Sequence, residues 1–259
     1  MFLPSVNPAA RLSARDAPAR GPARAASPTH AATKEPALSR LPLRQRLTQV
    51  ERRLRDSLGT DIATPAGRRR ALLDFYLLDH GALRALYANL HRIDAQALRS
   101  SQPSPAQLAR FARLGVRSVL NLRGATAHSH YLFEAEACDR LGLALHTTPM
   151  SATLAPQPAQ LLDLLALFRR IETPFVMHCK SGSDRTGLAA ALYLIEMRGA
   201  PLPVARRQLH WRFGHFRSGR AGILDAFLDR FAEAQARGLA LADWLRDGYD
   251  PVALARDRR

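Results

Sequence analysis

Cysteine is scarce, with only Cys138 and Cys179 in 259 residues. So few thiols leave no room for a disulfide framework and fit a reducing, cytoplasmic compartment. Long apolar runs are missing as well; without a stretch of about 18 such residues no membrane span is expected. The first ten residues lack the basic start and apolar core of a secretory leader. Acidic residues are outnumbered by Lys and Arg, 22 to 38, for a formal net charge of +16. This excess favours anionic partners, whether phosphates, acidic lipid surfaces or nucleic acid, without choosing among them. It is concentrated in residues 1–70, which hold many arginines and few acids.

Hydrophobic residues make up 47% of the chain, enough for a packed core. Residues 1–38, rich in Ala, Pro, Arg and Ser, cannot bury enough apolar surface to offset the entropy of ordering and read as a disordered basic tail. Their composition also resembles a mitochondrial transit peptide, a reading placed second to disorder. Residues 39–90 read as a helical extension. Leu43, Leu47, Val50 and Leu54 recur at helical spacing before Gly59. Arg68-Arg69-Arg70 then leads into Leu72, Leu73, Phe75, Tyr76 and Leu78, and Gly81 into Leu83, Leu86, Tyr87 and Leu90. Such helices either cover a neighbouring domain or lie on an anionic membrane surface; globular packing is preferred.

From His91 onward strand-like and helix-like patterns alternate. Ser104 caps a helix opened by Pro105 and running to Leu114. Val116 to Leu122 and Leu143 to Thr147 read as strands, separated by a helix over Leu132 to Leu141. A helix from Leu161 to Ile171 precedes an apolar strand ending at His178. Helices are expected over Thr186 to Met197, Val204 to Phe213 and Ile223 to Ala236. Alternation of this kind predicts an α/β domain over residues 91–236, a parallel-centred sheet flanked by helices on both faces. Residues 237–259 form a C-terminal helix and tail.

The chemistry concentrates where the strand Phe175-Val176-Met177 ends. His178-Cys179 passes through Lys180-Ser181-Gly182-Ser183-Asp184 into Arg185-Thr186-Gly187 and an apolar helix. A loop winding into a helix N-terminus points unpaired N–H groups inward, and the helix dipole adds positive charge, so an anion belongs there. The same field acts on sulfur: a thiol of ordinary pKa about 8.5 falls by several units beside a helix N-terminus and a cation, making Cys179 a nucleophile. Arg185 has the planar fork that pairs with two phosphate oxygens. Thr186 can donate its hydroxyl to the sulfur when it leaves, and Gly182 and Gly187 permit close approaches or torsions that a side chain blocks.

His178-Cys179, five residues, then Arg185-Thr186-Gly187 resembles the signature of the cysteine-dependent protein tyrosine and dual-specificity phosphatase superfamily, and the Asp before the Arg resembles its bacterial members. Arg99-Ser100-Ser101-Gln102-Pro103 and Asn121-Leu122-Arg123-Gly124 resemble the same bacterial proteins, and the likeness extends from about His91 to Phe231. It implies a dual-specificity-phosphatase-like fold and attack of Cys179 on a phosphomonoester, with Lys180 to Arg185 binding phosphate and His178 and Gly187 in support. It implies neither cofactor nor metal. Many members carry the general acid as an Asp on a loop corresponding to residues 148–158. Here that loop has no carboxylate, and Asp163 lies later, within a helix. Asp184 is the remaining candidate, as related proteins with Asp at this place imply; it alternatively orients Arg185 or caps the helix.

Other residues carry two readings each. Arg123, at a strand end, touches substrate or pairs with Glu134 or Glu136. Cys138 is a packing residue rather than a resolving thiol. His215, Arg217 and Arg220 line the site mouth or, preferred, form a solvated surface. The expected substrate is phosphotyrosine, or phosphoserine and phosphothreonine, in proteins. Phosphoinositides or other phospholipids are the rival, and a catalytically weak phosphate-binding adaptor is the third reading. The basic N-terminal region is a candidate for peripheral contact with anionic membrane, and no specific nucleic-acid binding is expected.

Overall fold

The computed structural model describes residues 43–258; the basic tail expected over residues 1–38 lies outside them. Three helices lead: α1 (Leu43–Leu58), α2 (Pro65–Leu73), which continues into a wider π turn over Asp74–Leu78, and α3 (Gly81–Leu86). Thr64 starts α2 by accepting the Gly67 N–H at 3.0 Å, with Pro65 at the first helical position. There follow β1 (His91–Arg92), β2 (Ala97–Ser100), α4 (Pro105–Arg113), β3 (Ser118–Asn121), α5 (Ser129–Leu141), β4 (Ala144–Thr147), α6 (Pro158–Phe168), β5 (Phe175–His178) and α7 (Asp184–Arg198). The chain closes with α8 (Leu202–Ala205), α9 (Ile223–Ala236), α10 (Leu241–Asp243) and α11 (Pro251–Asp257).

The strands form one sheet in the order β1-β2-β5-β3-β4, parallel except for the edge strand β1. Its centre is β5, all four residues of which are buried. Side chains alternate across it as the pleat requires. Phe175 and Met177 join Leu120 against α6, α7 and α9, whereas Val176 joins Val119 against Leu108, Phe111 and Ala137 of α4 and α5. Burying one such side chain contributes about 1.5–3 kcal/mol, so slipping β5 by one residue would exchange both layers at a prohibitive cost. His178 is level with Ser100 of β2 and Asn121 of β3. Cys179 therefore emerges where three parallel strands end together, the place at which open α/β sheets bind ligands.

The leading helices pack against α5. Arg68 pairs through both terminal nitrogens with Glu136 at 2.9 and 2.8 Å and lies over the Phe133 ring, which Phe75 meets edge-on at 6.0 Å. Leu83, Leu86 and Tyr87 stay exposed. Cys138 is buried among Leu108, Phe111 and Val116, on the sheet face opposite Cys179, and burial pushes its thiol up to about 12.

Two expectations are corrected here. Val204 to Phe213 is not one helix: α8 gives way to short 3-10 turns over Arg206–Gln208 and Trp211–Phe213. The cause is Arg99, fully buried on β2, which draws both the Gln208 carbonyl (2.8 Å) and its side-chain oxygen (2.7 Å) and so diverts the backbone from helical pairing. Arg123 pairs with neither Glu134 nor Glu136. Those carboxylates are engaged by His178 and Asn121 and by Arg68, and Arg123 turns instead to Asp79 at 2.7 and 2.9 Å.

Candidate active site

Behind the loop lies a chain of buried polar groups. His178 Nε2 is 2.6 Å from Glu134 Oε1, both side chains fully buried. Glu134 Oε2 accepts from Asn121 Nδ2 at 2.6 Å, and Asn121 Oδ1 accepts the Arg123 N–H at 2.7 Å. The ends of β5 and β3 are thereby locked together, fixing the position from which Cys179 projects.

The carbonyls of the loop are held from outside. Lys180 O accepts the Gln102 N–H (3.2 Å), Ser181 O accepts from Asn89 Nδ2 (2.9 Å), and Gly182 O and Ser183 O both accept from Arg99 Nη2 (2.7 and 3.3 Å). In a trans peptide the carbonyl and the next N–H point in opposite directions. The N–H groups of Ser181, Gly182, Ser183 and Asp184 therefore turn toward the loop interior, forming an anion cradle that continues into the first turn of α7. Gly182 makes the winding possible: its φ is +73°, and a Cβ there would lie 2.6 Å from the Ser100 carbonyl. Gly187 has a different role, letting α7 approach Gln208 to a distance at which a Cβ would lie 2.7 Å from the carbonyl oxygen.

Cys179 is 1% exposed. Burial alone would raise its pKa, but the Arg185 charge, the Thr186 hydroxyl and the N–H groups of Thr186 and Gly182 outweigh it and hold the thiol below its ordinary value. Arg185 Nε is buried without an acceptor among the described residues; an oxyanion in the cradle would supply one. Lys180, partly exposed, lies 3.7 Å from Asp79 Oδ1.

Asp184 opens α7 and is met by His215, whose Nδ1 lies 2.7 Å from Asp184 Oδ1 and whose Nε2 lies 2.7 Å from Asp225 Oδ2. The solvated-surface reading of His215 is thus overturned, since its side chain is 2% exposed. Burial disfavours its charge, but hydrogen bonds to the two carboxylates prevail and raise its pKa to about 9. Arg217 and Arg220 are exposed, the former paired with Asp229 at 2.7 Å. Asp163 is exposed on α6, and loop 148–158 contributes no carboxylate.

Above the cradle opens a cavity of about 510 Å³. Lys180, Ser181 and Arg185 form its floor, Phe213 and Gly214 one wall, and Leu83, Arg84 and Tyr87 of the leading helices another. Sequence reasoning missed Asp79, Asn89, Arg99 and the pairing of His215. Of these, Arg99 stood at the head of the motif ending at Pro103, though without its role on the loop carbonyls, and Asn89 precedes a strand; the left-handed φ of +46° at Asn89 aims its amide at both Ser181 O and Phe213 O.

The family model described as "Polymorphic toxin system, DSP-PTPase phosphatase" matches residues 94–200. The dual specificity protein phosphatase TpbA of Pseudomonas aeruginosa strain PAO1 is 29% identical over 162 residues, covering 58% of this chain and 68% of the relative. Its counterpart in strain UCBPP-PA14 is 30% identical over 166 residues, covering 61% and 65%. A crystal structure of P. aeruginosa TpbA superposes with a TM-score of 0.45 at 23% identity, over 66% of this chain and 91% of that one. The chain thus spans about two thirds of the length of these curated relatives.

Proposed function

We propose that this chain, which matches a DSP-PTPase phosphatase family model over residues 94–200 and is similar to the dual specificity phosphatase TpbA, hydrolyses phosphomonoesters through a phosphocysteine, with phosphotyrosine in proteins as substrate. The observation carrying this reading is the buried Cys179, its thiol held down by Arg185 and by N–H groups of the loop it heads. In the first step the Cys179 sulfur bonds to phosphorus as the bond to the leaving oxygen breaks, and Asp184 passes that oxygen a proton. In the second, water attacks phosphorus, the S–P bond breaks, and Thr186 and the cradle receive the thiolate as phosphate departs. Arg185 and the inward N–H groups take up the charge that the equatorial oxygens carry in both transition states. Lys180 adds positive charge at the cavity floor, and His178 and Gly187 keep the loop in shape.

The cavity walls favour an aryl ester. Leu83 and Tyr87 offer apolar and aromatic surface at the mouth, suited to a phenyl ring above the cradle. The test is turnover of phosphotyrosyl against phosphoseryl peptides, with p-nitrophenyl phosphate as reference. Vanadate should inhibit, chelators should not, and Cys179→Ser should abolish turnover; hydrolysis that needs a divalent ion would count against the scheme.

A phospholipid or phosphoinositide substrate is the second reading, and one feature favours it: Leu83 and Leu86 are 65% and 88% exposed beside a cavity lined by Arg84 and Lys180. Hydrolysis of phosphoinositide vesicles faster than of phosphopeptides would select it. Among the described residues no helix is long and apolar enough to cross a membrane. Membrane contact through the basic N-terminal region stays a proposal, tested by vesicle sedimentation. Tight phosphopeptide binding without turnover would leave only the adaptor reading.

A further inference from the structure

Asp184, His215 and Asp225 form a continuous chain of titratable groups leading from the catalytic loop into the interior. We propose that it works as one proton-handling unit, in which His215 is a positioning residue that holds the proton Asp184 delivers and Asp225 fixes the ring that holds it. This rests on the phosphatase reading above and extends it.

Geometry supplies the argument. The imidazole lies between two carboxylate oxygens at 2.7 Å on either side, at 2% exposure, so neither ring nitrogen is free to hydrogen-bond with water. The ring can donate to both carboxylates only when doubly protonated, and its pKa, raised to about 9 by those carboxylates against the effect of burial, favours that form. Asp184 is the partner with access: its side chain is 24% exposed against 6% for Asp225. Ser183 Oγ also donates to Asp184 Oδ1 at 3.2 Å, fixing its orientation. The charged groups facing the ring are Asp184 from α7 and Asp225 from α9. Cations on the adjoining stretches are directed elsewhere: Arg206 and Arg217 toward Asp229, Arg212 over the Phe213 ring, and Arg99 onto the loop carbonyls.

The step balances without an outside reagent. As the ester bond breaks, the Nδ1 proton moves to the Asp184 carboxylate and the resulting acid protonates the leaving oxygen, leaving His215 neutral and hydrogen-bonded through Nε2 to Asp225. When water attacks the phosphocysteine, the proton it sheds returns through Asp184 to Nδ1. The unit gives up one proton in the first half-reaction and recovers it in the second. A carboxylate held next to an imidazolium can thus still serve as the acid that the proton-poor loop 148–158 does not supply.

The discriminating readout is dependence on the leaving group. A phenolate such as tyrosine's needs its proton more than nitrophenolate does. In His215→Gln, kcat on a phosphotyrosyl peptide should therefore fall about 10- to 100-fold while kcat on p-nitrophenyl phosphate changes less than about threefold, scaled to general acid catalysis as a whole. In wild type, kcat on the peptide should decline above pH 9, and in Asp225→Asn that alkaline limb should move to lower pH, because the ring has lost one of the carboxylates that favour its charge. Thermal melts and vanadate binding check that each variant is folded; should His215→Gln fail to fold, the shift in Asp225→Asn decides. Equal losses on both substrates, or an alkaline limb unmoved by Asp225→Asn, would overturn the relay. A wild-type protein without turnover, or an active Cys179→Ser, would instead sink the phosphatase reading beneath it.

Discussion

Arg123, just past the end of β3, grips Asp79, which closes the π turn after α2, with both terminal nitrogens, at 2.7 and 2.9 Å. Asp79 has no exposed side-chain surface and also meets Arg55 at 3.1 Å, Arg84 at 2.8 Å and Lys180 at 3.7 Å. One carboxylate from the leading helices therefore gathers cations from two of those helices, the sheet and the catalytic loop.

Removing it should be expensive. Asp79→Ala leaves buried guanidinium groups uncompensated, which costs about 3–5 kcal/mol, read as a lower urea midpoint. The pH dependence has a definite sign. Although burial works to raise its pKa, Arg123 and Arg84 prevail and Asp79 titrates well below its ordinary value. The pairing therefore stabilises the fold fully above about pH 4, the unfolded value, and its contribution falls as pH drops from there toward the folded value. Wild type should lose stability over that acid range more steeply than Asp79→Asn.

The two thiols should react in opposite ways. Iodoacetate at pH 6.5 should alkylate Cys179 and leave Cys138 unmodified in the folded protein, since only the former is held below its ordinary pKa while the latter is pushed up to about 12. Peptide mapping gives the answer, and vanadate should protect Cys179. Labelling of Cys138 first would contradict the arrangement.

Gly182→Ala should damage the loop more than the fold. A methyl at φ +73° meets the Ser100 carbonyl at 2.6 Å, a strain of order 1–3 kcal/mol or more, and the loop relieves it by turning N–H groups out of the cradle. Turnover should fall at least about 100-fold, as expected from losing an oxyanion donor, with a thermal midpoint changed by only a few degrees. Wild-type turnover in this variant would refute the inward-facing cradle.

The wall donated by the leading helices should govern recognition. Leu83→Ala and Tyr87→Ala each remove apolar surface at the cavity mouth, worth about 1 kcal/mol at such partly exposed sites. KM for a phosphotyrosyl peptide should rise roughly fivefold, with kcat within about twofold. Unchanged KM in both would place the substrate ring elsewhere.

Much of this protein was readable from contiguous residues. Strand β5 announced itself as a short apolar run, α4 by Ser104 and Pro105, and the loop by Cys179 to Gly187, because apolar runs, helix caps and the backbone freedom of glycine act over a few positions. Val204 to Phe213 misled because its apolar spacing suits a helix, while a buried arginine more than a hundred positions earlier claims the carbonyl at Gln208. Arg123 was misassigned for a related reason: plausible acids lay close by in the chain, yet the partner came from forty-four positions upstream.

The amino-acid order by itself determined that a thiolate, a guanidinium and a helix N-terminus would meet, since ten consecutive residues contain all three. Only the tertiary structure decided what surrounds them. It drew Asp79 to the loop's lysine, set Asn89 and Arg99 against the loop's outward carbonyls, and placed His215, flanked in sequence by an exposed Phe216 and Arg217, between two carboxylates in the interior. Such pairings carry no local signature, because a buried charge takes whichever partner packing brings within reach, not the nearest one along the chain.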